Sequence, residues 1–229
     1  MSLTTVLLLL GLVCFTRWAA TGNWRWLIGL GLAFGLGLYA KLLFVWGIGG
    51  LIGALTLINL LPLVTSLRQQ QPPQLWPRTP SRLGLLAGFV GTLLGLLPLL
   101  LYNLQSSGTL TSVFSNLGTS YYGVNNAAVV ENLLIRWQSA REVLLGVQFW
   151  YLGGIYGVPI WPPLLIFALF GVLVWAVFRL PRWRWAVLLA GLLVLGFLQS
   201  IFTVSGLFHT HLALLLPFPA LLVGAVLGR

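Results

Sequence analysis

The stretch GLGLYAKLLFVWG, residues 35–47, holds Lys41, the only lysine in a chain of 229 residues. An ammonium group can bind a phosphate as a point charge, without the fork geometry that arginine uses. Other groups able to do chemistry are few: Glu131, Glu142, the single Cys14 and the pair His209 and His211, with no aspartate anywhere. A catalytic carboxylate in this chain must therefore be Glu131 or Glu142. The alternative is that each is a solvated charge on a surface helix, partnered with Arg136 or Arg141. His209 and His211, in GLFHTHLALLLPFP, have the chemistry to hold the axial metal of a haem or chlorophyll pigment, or merely to add polarity at an interface. Two histidines, one cysteine and two distant glutamates make no convincing protein metal site. There is no glycine-rich phosphate loop ending in Lys-Ser or Lys-Thr, and no Ser-His-acid set. No cofactor is expected.

The elements that must position these groups follow from composition. Hydrophobic residues make up 59% of the chain and charged residues 6%, with a mean hydropathy of +1.00. A soluble domain carries about 25% charged residues, so this chain cannot coat itself for water and its main solvent is lipid. Its apolar runs are continuous rather than alternating, which predicts helices and not barrel strands. The net charge of +10 comes from arginines clustered between apolar runs. That is the pattern of topology signals, and no nucleic-acid partner is expected.

Apolar runs lie at about 2–16, 27–64, 83–103, 161–178, 185–203 and 212–228. As one helix, Leu27–Leu67 would be about 60 Å long, against a hydrocarbon core of about 30 Å. Two crossings broken near Ala40–Lys41 fit better, and the count becomes about seven. The fold class expected is an all-α, polytopic transmembrane helix bundle. Seven spans place Arg17, Arg25, Arg68, Arg78, Arg82, Arg179, Arg182, Arg184 and Arg229 on one side with no acid. Lys41, Arg136, Arg141 and both glutamates fall on the other side. The positive-inside rule then sets the N-terminus outside and the C-terminus in the cytoplasm, as a multi-pass protein of a bacterial plasma membrane.

Residues 1–103 are expected to hold four spans, with a proline-rich cytoplasmic linker at 65–82 that reads as a polar, extended connector. Residues 104–160 form an external segment that opens as irregular loop. They continue, after Asn125–Asn126 as a cap, into an amphipathic helix over 127–149. Val130, Leu133, Leu134, Trp137, Leu144 and Leu145 recur on it at helical spacing, so it should lie on the outer membrane surface or against the bundle. Residues 161–229 supply three more spans. Trp18, Trp24, Trp26, Trp76, Trp161, Trp183 and Trp185 sit at span edges, as interfacial anchors do. Glycines four apart at 31/35, 49/53, 84/88 and 91/95 permit close helix approach.

GLGLAFGLGLYAKLLFVWG, NLLIRWQSAREVLLGVQFWYLGG and HTHLALLLPFPALLVGA occur in that order. They resemble the second half of the polytopic glycosyltransferases that use polyprenyl-phosphate sugars, the dolichyl-phosphate-mannose protein mannosyltransferase-like group of GT-C type. The likeness touches about 60 residues between Gly29 and Ala225. It implies a protein that moves a sugar from a lipid phosphate on the outer membrane face, with Lys41 as a cation for that phosphate; Arg141 is a further candidate to bind it. That group's catalytic aspartate lies in an N-terminal half with no counterpart here, so the resemblance implies a chain inactive alone. The expected partners are the lipid bilayer, a polyprenyl-phosphate lipid and other membrane subunits. A non-catalytic structural subunit of a larger respiratory or photosynthetic membrane complex is the alternative.

Overall fold

A computed structural model of the chain describes residues 3–69, 75–115, 125–145, 147, 159–178, 183–202, 212 and 214–227. The described residues are helical: α1 (Leu3–Thr21), α2 (Arg25–Ala40), α3 (Val45–Gln69), α4 (Arg82–Ser106), α5 (Gly108–Ser115), α6 (Val129–Leu145), α7 (Trp161–Phe178), α8 (Trp183–Gln199) and α9 (Pro217–Leu227). Short 3-10 turns occupy Leu42–Phe44 and Ser200–Phe202. Among the described residues, four stretches are long and apolar enough to cross a membrane: Leu3–Thr21, Leu42–Leu60, Arg82–Ser106 and Trp183–Phe202. Three shorter apolar helices accompany them, Arg25–Ala40, Trp161–Ala176 and Pro217–Val226. The protein is a membrane-embedded, all-helical chain.

Two compact units make up the chain. The first comprises Met1–Ile48 and Leu55–Phe114, the second Gly49–Ala54 and Ser115–Arg229. In the first, α1 buries Leu8, Leu12 and Phe15 at helical spacing, and Gly11 leaves room for the Phe34 ring of α2. The contact of α2 with α4 is closer still. A Cβ on Gly31 would meet the Gly88 carbonyl, and one on Gly35 would meet that of Thr92. From the other side, a Cβ on Gly95 would lie 2.6 Å from the Leu36 nitrogen and 2.7 Å from the Leu32 oxygen. Glycine is required because backbone lies against backbone, which is how small residues draw helices together in lipid.

The connector between α3 and α4 differs from the extended linker expected over 65–82. Helix α3 continues to Gln69, and Trp76 is pinned to it from a distance in sequence. Asn59 donates its Nδ2 to the Trp76 carbonyl at 2.7 Å and accepts the Trp76 N–H on Oδ1 at 2.7 Å. A side-chain amide matches a peptide unit donor for acceptor, so one asparagine satisfies both polar groups of a residue that no helix includes. The Trp76 ring meets Phe15 edge-on at 6.3 Å. This tryptophan is a packing residue of the first unit and not only an interfacial anchor. Trp18, on α1, is likewise buried.

Part of the stretch expected as irregular loop is helix α5 instead. Ser107, at φ 51, ends α4 in the left-handed region. The Thr111 hydroxyl then donates back to the Ser107 carbonyl at 3.0 Å. Hydroxyl side chains that favour turns also serve a short helix when they bond to the preceding turn in this way.

In the second unit α7, α8 and α9 pack around Ala168, Val172, Ala186 and Leu222. Small residues again let helices meet. Gly50 faces the Leu192 backbone, and a Cβ on Gly191 would lie 2.5 Å from that of Ala54. Helix α6 packs on the 3-10 turn Ser200–Phe202 that ends α8 and on α7.

Candidate functional site

Lys41 stands at a break made by its neighbours. Helix α2 ends at Ala40, Lys41 is extended at φ −165 and ψ 123, and its N–H closes the helix on the Gly37 carbonyl at 3.0 Å. The Lys41 carbonyl accepts from the Phe44 N–H at 2.9 Å, opening the 3-10 turn. Phe44 is wholly buried, folded over Gly37, where a Cβ would collide with its ring, and set edge-on to Phe34 at 5.7 Å. The long apolar run is thus divided at the lysine by a turn with its own packed core.

The Lys41 side chain is partly exposed, between Tyr39 and Leu42, which are exposed apolar surface. Desolvation by burial holds its pKa below the ordinary lysine value. The unfolded chain therefore binds more protons between the two values, so stability rises with pH through that window. Below the folded pKa the burial cost is present in full. Lys41→Met is accordingly expected to raise the thermal midpoint slightly at pH 7. The gain should shrink toward zero as the pH approaches the ordinary lysine range, and melting the purified pair at pH 7 and pH 10 checks it. A lysine that lowers stability where methionine would not is a candidate for binding an anion.

The second candidate region is α6. Asn125 starts it: its Oδ1 accepts from the Ala127 N–H at 2.9 Å, and its carbonyl accepts from Asn132 Nδ2 at 3.0 Å. The helix runs over 129–145, within the expected 127–149. Its buried face is Asn132, Arg136, Ser139 and Val143, a polar stripe turned toward the protein. Val130, Leu134 and Trp137, at 72%, 64% and 61% exposure, point away.

Arg136, named above as a partner for a glutamate on a solvated helix surface, is buried. It is 2% exposed, and its Nε donates to the Ser200 carbonyl at 3.1 Å. Ser200, itself fully buried, donates its hydroxyl to the Phe197 carbonyl at 2.6 Å. The last turn of α8 leaves carbonyls without helical N–H partners, and a cation is a favourable donor there. Burial pushes the Arg136 pKa down from its ordinary value, though a guanidinium remains charged throughout the biological range.

Glu131 and Arg141 are exposed on α6, and Glu142 is half-buried, accepting from Gln138 Nε2 at 3.1 Å. Along the helix axis Glu131 and Glu142 are separated by about 16 Å, so they occupy different turns of α6. Lys41 belongs to the first unit, and Glu131, Arg141 and Glu142 to the second. His209 and His211 lie outside the described residues. Among the described residues no cluster of histidine, cysteine, aspartate and glutamate could hold a metal ion.

Beside the Arg136 anchor lies a groove of about 400 Å³. One wall is α6, with Leu133, Trp137 and Leu144; the others are α7, α8 and the start of α9, with Leu169, Val194 and Leu215 among them. All fifteen lining residues are apolar. Such a surface can exclude water and hold hydrocarbon, and apart from the Trp137 indole N–H its side chains offer no donor, acceptor or charge to a reacting group.

Sequence reasoning passed over both Arg136 as an anchor and this groove. The signal was present: Asn132, Arg136, Ser139 and Val143 fall at i, i+4, i+7 and i+11, as regular as the apolar face opposite. Compared with family models, curated proteins and solved structures, the chain matches none.

Proposed function

We propose that the chain is a glycosyltransferase-like membrane protein that binds a polyprenyl-phosphate lipid at the outer face and does not transfer sugar by itself. The observation that carries this reading is Lys41: a lone ammonium at a helix break, partly desolvated, with no side-chain partner among the described residues. A lipid phosphate is the anion a membrane presents at such a place. The ordered resemblance of residues 29–225 to polyprenyl-phosphate-dependent enzymes supplies the lipid class. Seven crossings, α1 to α4 and α7 to α9, bring Lys41 to the outer face and the arginine clusters to the cytoplasmic one. The three shorter helices, about 15–24 Å long, cross with help from snorkelling flanks and local bilayer thinning.

The absence of aspartate from the chain favours a non-catalytic role, in which the chain serves as a subunit of a larger membrane complex. The experiment that tests the reading is retention of a polyprenyl phosphate by the purified parent and by Lys41→Gln and Lys41→Arg. The parent and Lys41→Arg should retain the lipid, and Lys41→Gln should lose most of it. Equal retention by Lys41→Gln makes the lysine only a turn. In whole cells of a Cys14→Ala background, cysteine at Ser115 should react with an impermeant thiol reagent and cysteine at Thr79 should not. The reverse pattern rejects the orientation.

A further inference from the structure

Helix α6 has its polarity reversed relative to a surface helix of a water-soluble protein. Its buried stripe is amide, guanidinium and hydroxyl with Val143, and its outward side carries Val130, Leu134 and Trp137 around the exposed Arg141. In water that arrangement would expose apolar side chains and bury a cation, a double cost. At the edge of a bilayer the outward apolar side chains meet hydrocarbon while the long Arg141 side chain reaches the polar layer. The depth of α6 follows from one bond: Arg136 Nε donates to the Ser200 carbonyl, in the last turn of Trp183–Phe202, a helix long and apolar enough to cross a membrane.

The groove reaches from that level inward. Its α8 wall begins at Leu193, about 13 Å along the axis from Phe202, which is within a hydrocarbon core of about 30 Å. Its lining continues outward into exposed apolar surface at Trp137, Val194, Leu198 and Leu216. The groove is thus an inlet of the lipid-facing surface of the second unit and not a separate chamber. Its volume, about 400 Å³, lies in the range of about 300–1,000 Å³ in which pockets hold a small ligand. An all-apolar wall at this depth gives water nothing to bind.

We infer that this groove is a seat for one acyl chain of a bilayer phospholipid, walled by α6, whose exposed Val130, Leu134 and Trp137 meet hydrocarbon beside it. The inference rests on membrane embedding alone and not on sugar transfer, so it stands or falls separately from the Lys41 reading. Trp137 on the groove wall is the reporter. In bilayers of phosphatidylcholine with a dibromostearoyl chain, its emission, taken as the parent minus Trp137→Phe, should fall at least twofold relative to the unbrominated lipid. Ala140, also on the wall, is the site at which to fill the groove. Ala140→Phe, purified in mild detergent, should retain at least fivefold less of one tightly held phospholipid by native mass spectrometry, with unchanged helical circular dichroism. Equal phospholipid retention by the parent and a folded Ala140→Phe overturns the proposal. So does a Trp137 signal quenched by aqueous acrylamide and not by the brominated chain, or a polypeptide found seated in place of lipid. Should Ala140→Phe fail to fold, Leu144→Phe, also on the wall, is put to the same retention measurement with the same two outcomes.

Discussion

Gly35→Val is expected to destabilise the first unit by about 3 kcal/mol or more, at or beyond the upper end of ordinary overpacking in a core. The reason is what the new side chain would meet. Its Cβ would fall against the Thr92 carbonyl and within 2.9 Å of both the Gly95 Cα and the Leu96 nitrogen. A flexible side chain can rotate away from such an intrusion; backbone on a neighbouring helix can yield only if the helices separate. Valine adds a branched, stiff side chain to that collision. Separation would loosen the whole line along which Gly31, Gly35, Gly91 and Gly95 keep α2 and α4 together. Gly88→Ala is the internal control. A Cβ there would lie 3.6 Å from the Leu27 carbonyl, an ordinary contact, and alanine is the better helix former by about 1 kcal/mol. The control should be neutral or slightly stabilising. Equilibrium unfolding in mixed detergent, followed by circular dichroism, measures both. Equal effects at 35 and 88 would mean that backbone proximity does not govern this contact.

The second large effect is expected at Arg136. Arg136→Ala should cost about 2–4 kcal/mol, since it leaves the volume of a fully enclosed long side chain empty and removes a donor from the buried Ser200 carbonyl. Relief of the desolvated charge offsets part of that loss. Arg136→Met should cost less than Arg136→Ala because it keeps most of the volume. Arg136→Lys should fall between the parent and Arg136→Ala, since an ammonium restores the charge without the rigid planar donors. The same unfolding measurement ranks the three. If Arg136→Ala stays within about 0.5 kcal/mol of the parent, the usual range for surface changes, Arg136 does not anchor α6.

The sequence by itself determined the solvent of this protein, the class of its elements and the place where its longest apolar run must turn. Each follows from quantities that need no partner: a charge content of 6%, continuous apolar runs, and a length too great for one crossing. The glycine pairs at 31/35 and 91/95 were legible in the same way, as small residues on one helix face. Other features were not. The Asn59 clamp on Trp76 joins residues 17 apart, with an irregular connector between them, and an asparagine in an apolar run does not declare which peptide it will hold. The division of α3 between two units depends on which helices approach each part of it. The decisive case is α6. Its periodicity announces two faces, but periodicity carries no sign: in water the apolar stripe turns to the protein, and beside lipid it turns away. Tertiary structure supplied the sign by placing the Ser200 carbonyl where only a buried donor could satisfy it, and Arg136 turned inward to meet it.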